Sequence, residues 1–345
     1  MLDDEKGKII LEISKVINSN DFISSKKTKE FEELVVERFG CKYAYACANG
    51  TDALLLALRC FDLKKDEYVI VPDYTFISTS EVVNLCGAIP LFVDIDPLTF
   101  NINPSHLKKI LKKSLETGLK IRGVISVDLF GSLCDYKHIS KICKQNNLFY
   151  ISDSAQSFGI KFNGKATTYY ADVVCSSFYP TKPLGAFGDA GICLTNNKKH
   201  YDRIKSLANH GSKKTKYLHY EIGYSSRIDE IQSVVLLYKY KMLFDNAINQ
   251  RKKVWHDCQL ALNEYGFSQL ILFDSSYYCF TFIPNNLDCK STALKIVKER
   301  FPFITLLTNY IPLHKMPIYK TLIAYDSFRN TNNLSKRLLA FLIAI

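Results

Sequence analysis

Short apolar runs alternate with helix-length segments through the first half of the chain, and no other feature limits its fold as strongly. Helix-length segments such as 105–115 and 136–146 separate several of the runs. Strands that alternate with helices indicate an α/β protein with a mainly parallel sheet covered by helices on both faces. In such sheets ligands bind at the carboxyl ends of the strands. Turn residues close each run, which predicts buried strands at 68–72, 89–94, 122–129, 149–153 and 172–176.

The length of the chain predicts more than one domain. Its 345 residues exceed a typical single core, and chains of this length form about two domains. Amphipathic segments at 227–243 and 251–265 predict two long helices. We expect residues 1–245 to form a large domain and residues 246–345 a smaller α+β domain. The last residues, 338–345, are LLAFLIAI, and we expect this run either to pack inside or to mark an abbreviated domain.

The composition is that of an ordinary globular protein. Apolar residues make up 47% and charged residues 23%, proportions that exclude a disordered chain and a coiled coil. The first ten residues, MLDDEKGKII, lack the order of a signal peptide. No apolar run approaches the roughly 18 residues that a membrane-spanning helix needs. We therefore expect a cytoplasmic protein without a membrane partner.

The net charge of +11 is compatible with nucleic acid, an acidic membrane surface or a phosphorylated small molecule as partner. Lysine pairs are spread along the chain and never form a block of five. This spacing is typical of solvated faces and argues against a nucleic-acid partner.

The eleven cysteines include no Cys-x-x-Cys pair. An odd number without a spacing pattern suits reduced thiols better than a disulfide framework. The seven histidines show no paired metal spacing either. We expect mostly buried thiols and no metal site.

A Gly-Thr pair, Gly50-Thr51, stands at the start of the apolar segment 52–61 (DALLLALRCF). If this segment is a helix, its N-terminus offers free N–H groups and a positive dipole end, and the threonine hydroxyl adds a donor. The pair is therefore a candidate phosphate site. A plain helix cap is the alternative.

Asp153 ends the predicted strand at 149–153. Its carboxylate is therefore expected in the ligand crevice, where it can hold a protonated nitrogen or a metal. The alternative is a capping box, because Gln156 follows three residues later.

Lys182 lies between Pro180 and Pro183, after the strand predicted at 172–176 and before a glycine-rich turn. The prolines restrict the backbone and remove two donors, which predicts an irregular, pre-shaped loop. The amine is expected in the same crevice as Asp153. A buried lysine with a lowered pKa is the usual nucleophile toward a carbonyl carbon, and an ordinary surface lysine is the alternative.

Pyridoxal phosphate requires a phosphate site, an anion for its ring nitrogen and a Schiff-base lysine, and the three motifs match these needs in order. The chain resembles the DegT/StrS family of pyridoxal-phosphate-dependent nucleotide-sugar aminotransferases. The resemblance covers residues 20–235. The matching segments are ANGTDALLLAL, VPDYTFISTSEVVNLCGAIPLFVDIDPLTFNINP, DLFGSLCDY, ISDSAQSFG, SSFYPTKPLGAFGDAGICLTN, NHG and GYSSRIDEIQS.

The resemblance implies a role for each matched residue around the cofactor ring. Lys182 would form the Schiff base and later act as the base that moves the proton. Asp153 would bind the pyridine nitrogen, and Gln156 would bond the phenolic oxygen. Phe76 would stack on the ring face.

On the phosphate side the resemblance implies contacts from Gly50, Thr51 and Ser177. Ser225 stands where family members usually have an asparagine that the neighbouring subunit lends to the phosphate. A serine keeps a donor, so we expect a similar but shorter contact. The resemblance also implies fold type I, the fold of aspartate aminotransferase, and a homodimer with active sites at the subunit interface.

On the substrate side, segment 309–317 (NYIPLHKMP) resembles the sugar-side loop of the family, which would place Tyr310 and His314 near the substrate. The implied reaction moves the amino group of L-glutamate to a nucleotide-linked 4-keto-6-deoxy hexose and gives a 4-amino-4,6-dideoxy sugar. A 3-keto-6-deoxy sugar nucleotide, with a 3-amino product, is the first alternative. A cyclitol ketone and a non-catalytic sensor with the same fold are further alternatives, and the nucleotide is left open among UDP, dTDP and GDP.

Overall fold

The computed structural model describes residues 3–213, 215, 217–263, 268–269, 274–284, 287–307, 310–320, 322 and 327–343. Each strand predicted in the first half of the chain overlaps an observed strand. The helices are α1 (Asp3–Ser19), α2 (Lys26–Phe39), α3 (Gly50–Leu58), α4 (Ser78–Leu85), α5 (Pro104–Thr117), α6 (Tyr136–Gln145), α7 (Lys198–Ala208), α8 (Glu230–Met242), α9 (Phe244–Asn263), α10 (Leu287–Arg300) and α11 (Arg329–Leu334). The strands are β1 (Tyr43–Cys47), β2 (Glu67–Pro72), β3 (Ile89–Val93), β4 (Lys120–Val127), β5 (Phe149–Asp153), β6 (Val173–Ser177), β7 (Gly191–Thr195), β8 (Ser268–Gln269), β9 (Cys279–Ile283), β10 (Thr305–Leu306) and β11 (Leu339–Leu342).

The strands β1 to β7 form one large sheet in the order β1-β7-β6-β5-β4-β2-β3. Strands β2 to β6 run parallel to one another, whereas β7 is antiparallel to both of its neighbours. The prediction of a mainly parallel sheet is confirmed. Strand β7 reverses direction because the 178–190 loop returns the chain directly beside β6, without the crossover helix that a parallel return needs.

Both faces of the large sheet are buried, which explains why its strands are almost continuously apolar. Successive residues of a strand point to opposite faces. Val124 and Tyr150 therefore pack on the side of α5 and α6, whereas Ile125 and Ile151 pack on the side of α3 and α4. Within the residues that the structure describes, helices cover both faces, so the strand ends are the places where a ligand has access to the sheet.

The C-terminal part of the chain forms a smaller antiparallel sheet in the order β10-β11-β9-β8. Trp255 of α9, Phe280 of β9 and Phe341 of β11 are buried in its core. The apolar run near the end of the sequence contributes β11, which is buried. The boundary predicted after residue 245 falls in the first turn of α9, and the division into two domains stays a prediction.

The cysteines are free thiols and most of them are buried, which agrees with their expected role as small apolar side chains.

Among the helices of the described residues, none is long and apolar enough to cross a membrane.

Candidate active site

The carboxyl ends of the parallel strands bring polar residues to one edge of the large sheet. Asp73 follows β2, Asp153 ends β5 and Ser177 ends β6. Asp73 and Asp153 are buried, and Ser177 is partly buried. A buried carboxylate needs hydrogen-bonding or charged partners, because an unpaired charge in a medium of low dielectric constant is costly. This edge is therefore the candidate active site.

The N-terminus of α3 lies against the end of β6. Asn49 caps the helix, because its side chain accepts the N–H of Asp52 at 2.8 Å. Gly50 leaves no room for a side chain, since an added Cβ would lie 2.5 Å from the Cβ of Ser177. Gly50 and Thr51 occupy the first helical positions, whose N–H groups have no acceptor inside a helix. The helix cap and the candidate phosphate site are therefore compatible with each other.

Lys182 lies in the 178–190 loop between β6 and β7. Its N–H donates to the carbonyl of Tyr179 at 2.8 Å. Farther along the loop, the N–H of Ala186 donates to the carbonyl of Phe178 at the same distance of 2.8 Å. The Nζ atom of Lys182 lies 5.8 Å from the ring centre of Tyr278. The loop is therefore folded on itself and holds its lysine over an aromatic ring.

Lys182 and Asp153 interact electrostatically. Burial lowers the pKa of Lys182, and the charge of Asp153 partly opposes that shift. Burial raises the pKa of the Asp153 carboxyl. Three neighbours act in the opposite direction: the N–H of Ala155, which donates to Oδ1 at 3.0 Å, the charge of Lys182 and the hydroxyl of Thr79. A lysine with a lowered pKa has a larger fraction of neutral, nucleophilic amine.

The side-chain amide of Gln156 has a defined orientation. The N–H of Phe130 donates to its Oε1 at 2.7 Å. A backbone N–H can only donate, so this contact assigns the oxygen and leaves Nε2 as a donor on the other side. Nε2 lies 3.4 Å from the hydroxyl oxygen of Tyr310. Phe130 has a φ of 60°, a left-handed conformation that costs about 1–3 kcal/mol in a residue other than glycine.

Aromatic side chains line the site next to Gln156. The ring centre of Tyr310 lies 6.0 Å from that of Tyr74 and 6.3 Å from that of Phe76. Burial raises the pKa of Tyr310 to about 12, so its hydroxyl keeps its proton at neutral pH. Phe76 is 53% exposed, and its ring is therefore accessible to a planar ligand.

His314 is paired with Asp73. Its Nδ1 lies 2.6 Å from Asp73 Oδ2, and its backbone N–H donates to Oδ1 at 2.9 Å. A carboxylate oxygen accepts, so Nδ1 carries a proton, and in the neutral imidazole Nε2 is then the acceptor. The His314 ring also stacks on Phe328, with 4.5 Å between the ring centres. These contacts orient the imidazole.

Ser225 lies on the surface beside the start of α3. Its hydroxyl accepts a hydrogen bond from Arg227 Nη2 at 3.2 Å, and its backbone pairs with Asn209. The hydroxyl of the adjacent Ser226 accepts the N–H of Ala48 at 3.4 Å. The segment is thus close to the candidate phosphate site, while the Ser225 side chain is exposed.

Sequence reasoning missed several partners of the predicted residues. Asp73 follows a buried strand, much as Asp153 ends one, so the same pattern identifies it. Thr79, Phe130 and Tyr278 carry no comparable pattern. Their contacts depend on which distant segments fold against the edge of the sheet.

These residues fit pyridoxal phosphate. Buried Asp153 beside Lys182 suits a protonated ring nitrogen next to a Schiff base. Because Gly50 has no Cβ, the start of α3 lies close to Ser177. The first N–H groups of the helix and the Ser177 hydroxyl are therefore near each other, as a phosphate requires. Gln156 supplies an oriented donor.

Within the described part of the chain, no group of three or more His, Cys, Asp or Glu side chains is placed to hold a metal ion.

Comparison with known proteins shows the family. The model of the DegT/DnrJ/EryC1/StrS aminotransferase family matches residues 3–343. A relative from Pseudomonas aeruginosa, UDP-2-acetamido-2-deoxy-3-oxo-D-glucuronate aminotransferase, is 32% identical over 316 residues. The matched region covers 90% of this chain and 84% of that protein.

Solved structures show the same fold. The crystal structure of a DegT DnrJ EryC1 StrS aminotransferase from Brucella abortus has a TM-score of 0.91 at 33% identity, covering 98% of this chain and 91% of that chain. The structure of ntda from Bacillus subtilis with bound cofactor PMP has a TM-score of 0.88 at 24% identity, covering 100% of this chain and 78% of that chain. The chain therefore belongs to the DegT/DnrJ/EryC1/StrS aminotransferase family and is a pyridoxal-phosphate-dependent aminotransferase with the type I fold.

Proposed function

We propose that this chain transfers the amino group of L-glutamate to the keto group of a sugar linked to a nucleotide. The observation that carries the proposal is that three features meet at one edge of the large sheet: buried Asp153 at the end of β5, the Lys182 loop after the neighbouring strand β6, and the start of α3 against Ser177. Cofactor-dependent amino transfer needs three groups: a lysine with a lowered pKa, a buried anion and a helix N-terminus.

Five residues would hold the cofactor at its two ends. Asp153 would bind the ring nitrogen, and Gln156 would donate to the phenolic oxygen. Gly50, Thr51 and Ser177 would bind the phosphate. When bound, pyridoxal phosphate supplies an aldehyde that reacts with amines and a ring that withdraws electrons from the adjacent carbon.

Lys182 would move the proton in both half-reactions. Its Nζ takes a proton from the α-carbon of glutamate, and in the second half-reaction it delivers a proton to the sugar carbon that receives nitrogen. Burial lowers the pKa of Lys182, which favours the neutral amine that must accept the proton. A base whose pKa approaches the working pH serves both directions of transfer.

Phe76, Tyr310 and His314 would form the substrate side of the site. Phe76 offers an exposed ring face for stacking on the cofactor. The Tyr310 hydroxyl keeps its proton and is a donor. Asp73 binds the Nδ1 proton of His314, so Nε2 is the acceptor when the imidazole is neutral. A sugar hydroxyl both donates and accepts, so it suits this pair.

We propose that a second copy of the chain packs against the surface around the candidate active site. Large apolar side chains near the site are exposed, and exposed apolar patches mark interaction surfaces. They are Phe76 (53%), Tyr179 (52%) and Phe187 (49%). Exposed Ser225 would then donate to the cofactor phosphate of the partner subunit in a homodimer.

Mixing two inactive variants tests whether Ser225 acts across the interface. Lys182→Ala removes the base, and Ser225→Asp repels phosphate from the site that Ser225 serves. If Ser225 serves the partner, a mixed dimer contains one site with both native residues, and mixing restores about half the activity per such dimer. Activity that stays at the sum of the two separate variants contradicts the arrangement. Sedimentation velocity of the unmodified protein provides the oligomeric state.

We propose a 4-keto-6-deoxy hexose as the acceptor. The 3-keto sugar is the second candidate, and the Pseudomonas relative supports it, since the name of that protein specifies a 3-oxo sugar nucleotide. Incubation with L-glutamate and a panel of 3-keto and 4-keto sugars linked to UDP, dTDP or GDP distinguishes the two. Mass spectrometry detects the amino product and NMR locates the aminated carbon. A panel without any amino product overturns the proposed substrate class.

An absorption spectrum tests the role of the lysine independently of the acceptor. Protein loaded with pyridoxal phosphate is expected to show a visible band that L-glutamate bleaches, and Lys182→Ala is expected to lack it. A band that persists in Lys182→Ala shows that another group carries the cofactor.

A further inference from the structure

Arg251 connects the loop that carries Lys182 to the smaller sheet. The arginine lies on α9, and only 5% of its surface is exposed. Its Nη2 donates to the carbonyl of Pro183 at 3.0 Å, and its Nε donates to the carbonyl of Ile343 at 3.3 Å. Pro183 directly follows Lys182, and Ile343 directly follows β11. One guanidinium thus contacts the lysine loop and the end of a strand far along the chain.

The surroundings of Arg251 are unusual for a buried cation. The hydrogen bonds that the structure shows for it reach carbonyl oxygens, and its Nη1 is buried without a partner in the described part of the chain. Burial lowers the pKa of Arg251 to about 10. A buried charge with carbonyl partners alone contributes little to stability. The role of Arg251 is therefore to position the segments that it binds.

Helix α8 holds the same loop at two further points. Gln232 Oε1 accepts the N–H of Phe187 at 2.9 Å. Lys239 Nζ donates to the carbonyl of Gly185 at 2.6 Å and lies 4.5 Å from the ring centre of Phe187. Gly185 cannot carry a side chain, because a Cβ there would collide with the carbonyl of Pro180. The backbone between Pro183 and Phe187 is therefore bound on the side of α8 and α9.

We propose that Arg251 is a positioning residue for Lys182. By holding the Pro183 carbonyl against the end of β11, it restricts where the Lys182 amine returns after each proton transfer. The Gln232 and Lys239 contacts support the loop from α8, whereas Arg251 binds the residue next to Lys182. The proposal rests on the proposed role of Lys182, and it assigns Arg251 no contact with substrate or cofactor.

Hydrogen exchange of the cofactor-free protein tests the positioning step alone. Arg251→Lys keeps the charge but can reach only one of the two carbonyls, and Arg251→Met removes both bonds at similar volume. The N–H groups of Lys182 and Ala186 are bonded inside the loop. They are expected to exchange about tenfold faster in Arg251→Met, a factor that corresponds to about 1.4 kcal/mol. Arg251→Lys is expected to fall between this variant and the unmodified protein.

The matched control is Lys253→Met, which removes an exposed cation from the same helix and is expected to leave exchange in the loop unchanged. In the loaded enzyme, Arg251→Lys is expected to lower kcat while KM for glutamate is unchanged. If hydrogen exchange in the loop is unchanged in both Arg251 variants, the proposal is overturned. Equal acceleration of exchange in the loop and in β5 also overturns it, because it shows general destabilisation of the protein. If the loop loosens but Lys182→Ala retains the visible band, the role of Lys182 fails while the contact between Arg251 and the loop stands.

Discussion

The α-carbon of Gly50 packs against Ser177 so closely that a methyl group on it would lie 2.5 Å from the Ser177 Cβ. The start of α3 and the end of β6 are therefore in contact through backbone and a small side chain. This contact places the first N–H groups of the helix beside the serine hydroxyl. Packing therefore requires a glycine at this position.

Replacing Gly50 with alanine is expected to destabilise the protein and weaken cofactor binding. Overpacking of this kind costs about 1–3 kcal/mol of the free energy of unfolding. Gly7→Ala is the matched control, because a Cβ on Gly7 meets nothing within 4 Å, and alanine favours a helix interior by about 0.5–1 kcal/mol. Urea unfolding and cofactor titration measure the two effects. Equal stability of the Gly50→Ala and Gly7→Ala proteins contradicts the packing argument.

Replacing Gln156 separates its two hydrogen bonds. Gln156→Glu still accepts the N–H of Phe130 but loses the donor that faces Tyr310, so we expect weaker cofactor binding. Because Gln156 is buried, the new carboxyl is also expected to lower stability increasingly as the pH rises. Gln156→Leu leaves the buried Phe130 N–H without an acceptor, which costs about 1–3 kcal/mol. Thermal unfolding and the visible spectrum are measured for both variants. A Gln156→Leu protein as stable as the unmodified one means that the Phe130 contact is not what the amide oxygen contributes.

Glu32 is expected to make stability depend on pH. It lies on α2 and accepts the N–H of Ala46 at 2.8 Å, and burial raises its pKa from 4.5 to about 7. Its favourable contribution is complete below pH 4.5 and is lost as the pH rises to about 7, because the unfolded chain ionises first. Glu32→Gln keeps the acceptor and removes the charge, so we expect it to raise stability at pH 8 by about 2 kcal/mol.

The same comparison at pH 4 is expected to show little difference, since Glu32 is then protonated in both states. Glu33→Gln is the matched control, because Glu33 is the exposed neighbour on the same helix. Urea unfolding of the three proteins at both pH values provides the measurement. A gain at pH 4 equal to that at pH 8 rules out ionisation as the cause.

Replacing Asp73 with asparagine is expected to impair the substrate side without affecting the cofactor. An asparagine has one acceptor for the two donors of His314, so the ring can be forced into the tautomer in which Nε2 donates. We expect KM for the sugar nucleotide to rise about tenfold, or about 1.4 kcal/mol, with an unchanged visible band. Asp202→Asn, which changes an exposed carboxylate paired with Lys198, is expected to leave KM unchanged. An unaffected KM in Asp73→Asn means that His314 does not meet the sugar.

Much of the large sheet could be predicted because its cause is local. Each buried strand is an apolar run closed by turn residues, so the strands, their alternation with helices and the mainly parallel sheet follow from the order of residues. The same reasoning placed Asp153 at a strand end and Lys182 in the loop after a strand. Parallel strands share one open edge, so both residues were expected in one crevice.

The orientation of the site residues depends on the tertiary structure. The Phe130 N–H orients the side-chain amide of Gln156. Asp73 and Phe328 orient the ring of His314. These partners come from separate segments of the chain.

The sequence by itself determined the fold class and the order of the motifs, and it supplied the candidate residues for the chemistry, because strand and helix patterns are set by neighbouring residues. Only the tertiary structure decided that Lys182 faces Tyr278 and that Arg251 reaches the Pro183 carbonyl. The physical reason is that burial, the pKa of Lys182 and hydrogen-bond direction arise from contacts between segments distant in sequence. No local pattern encodes which of those segments will meet.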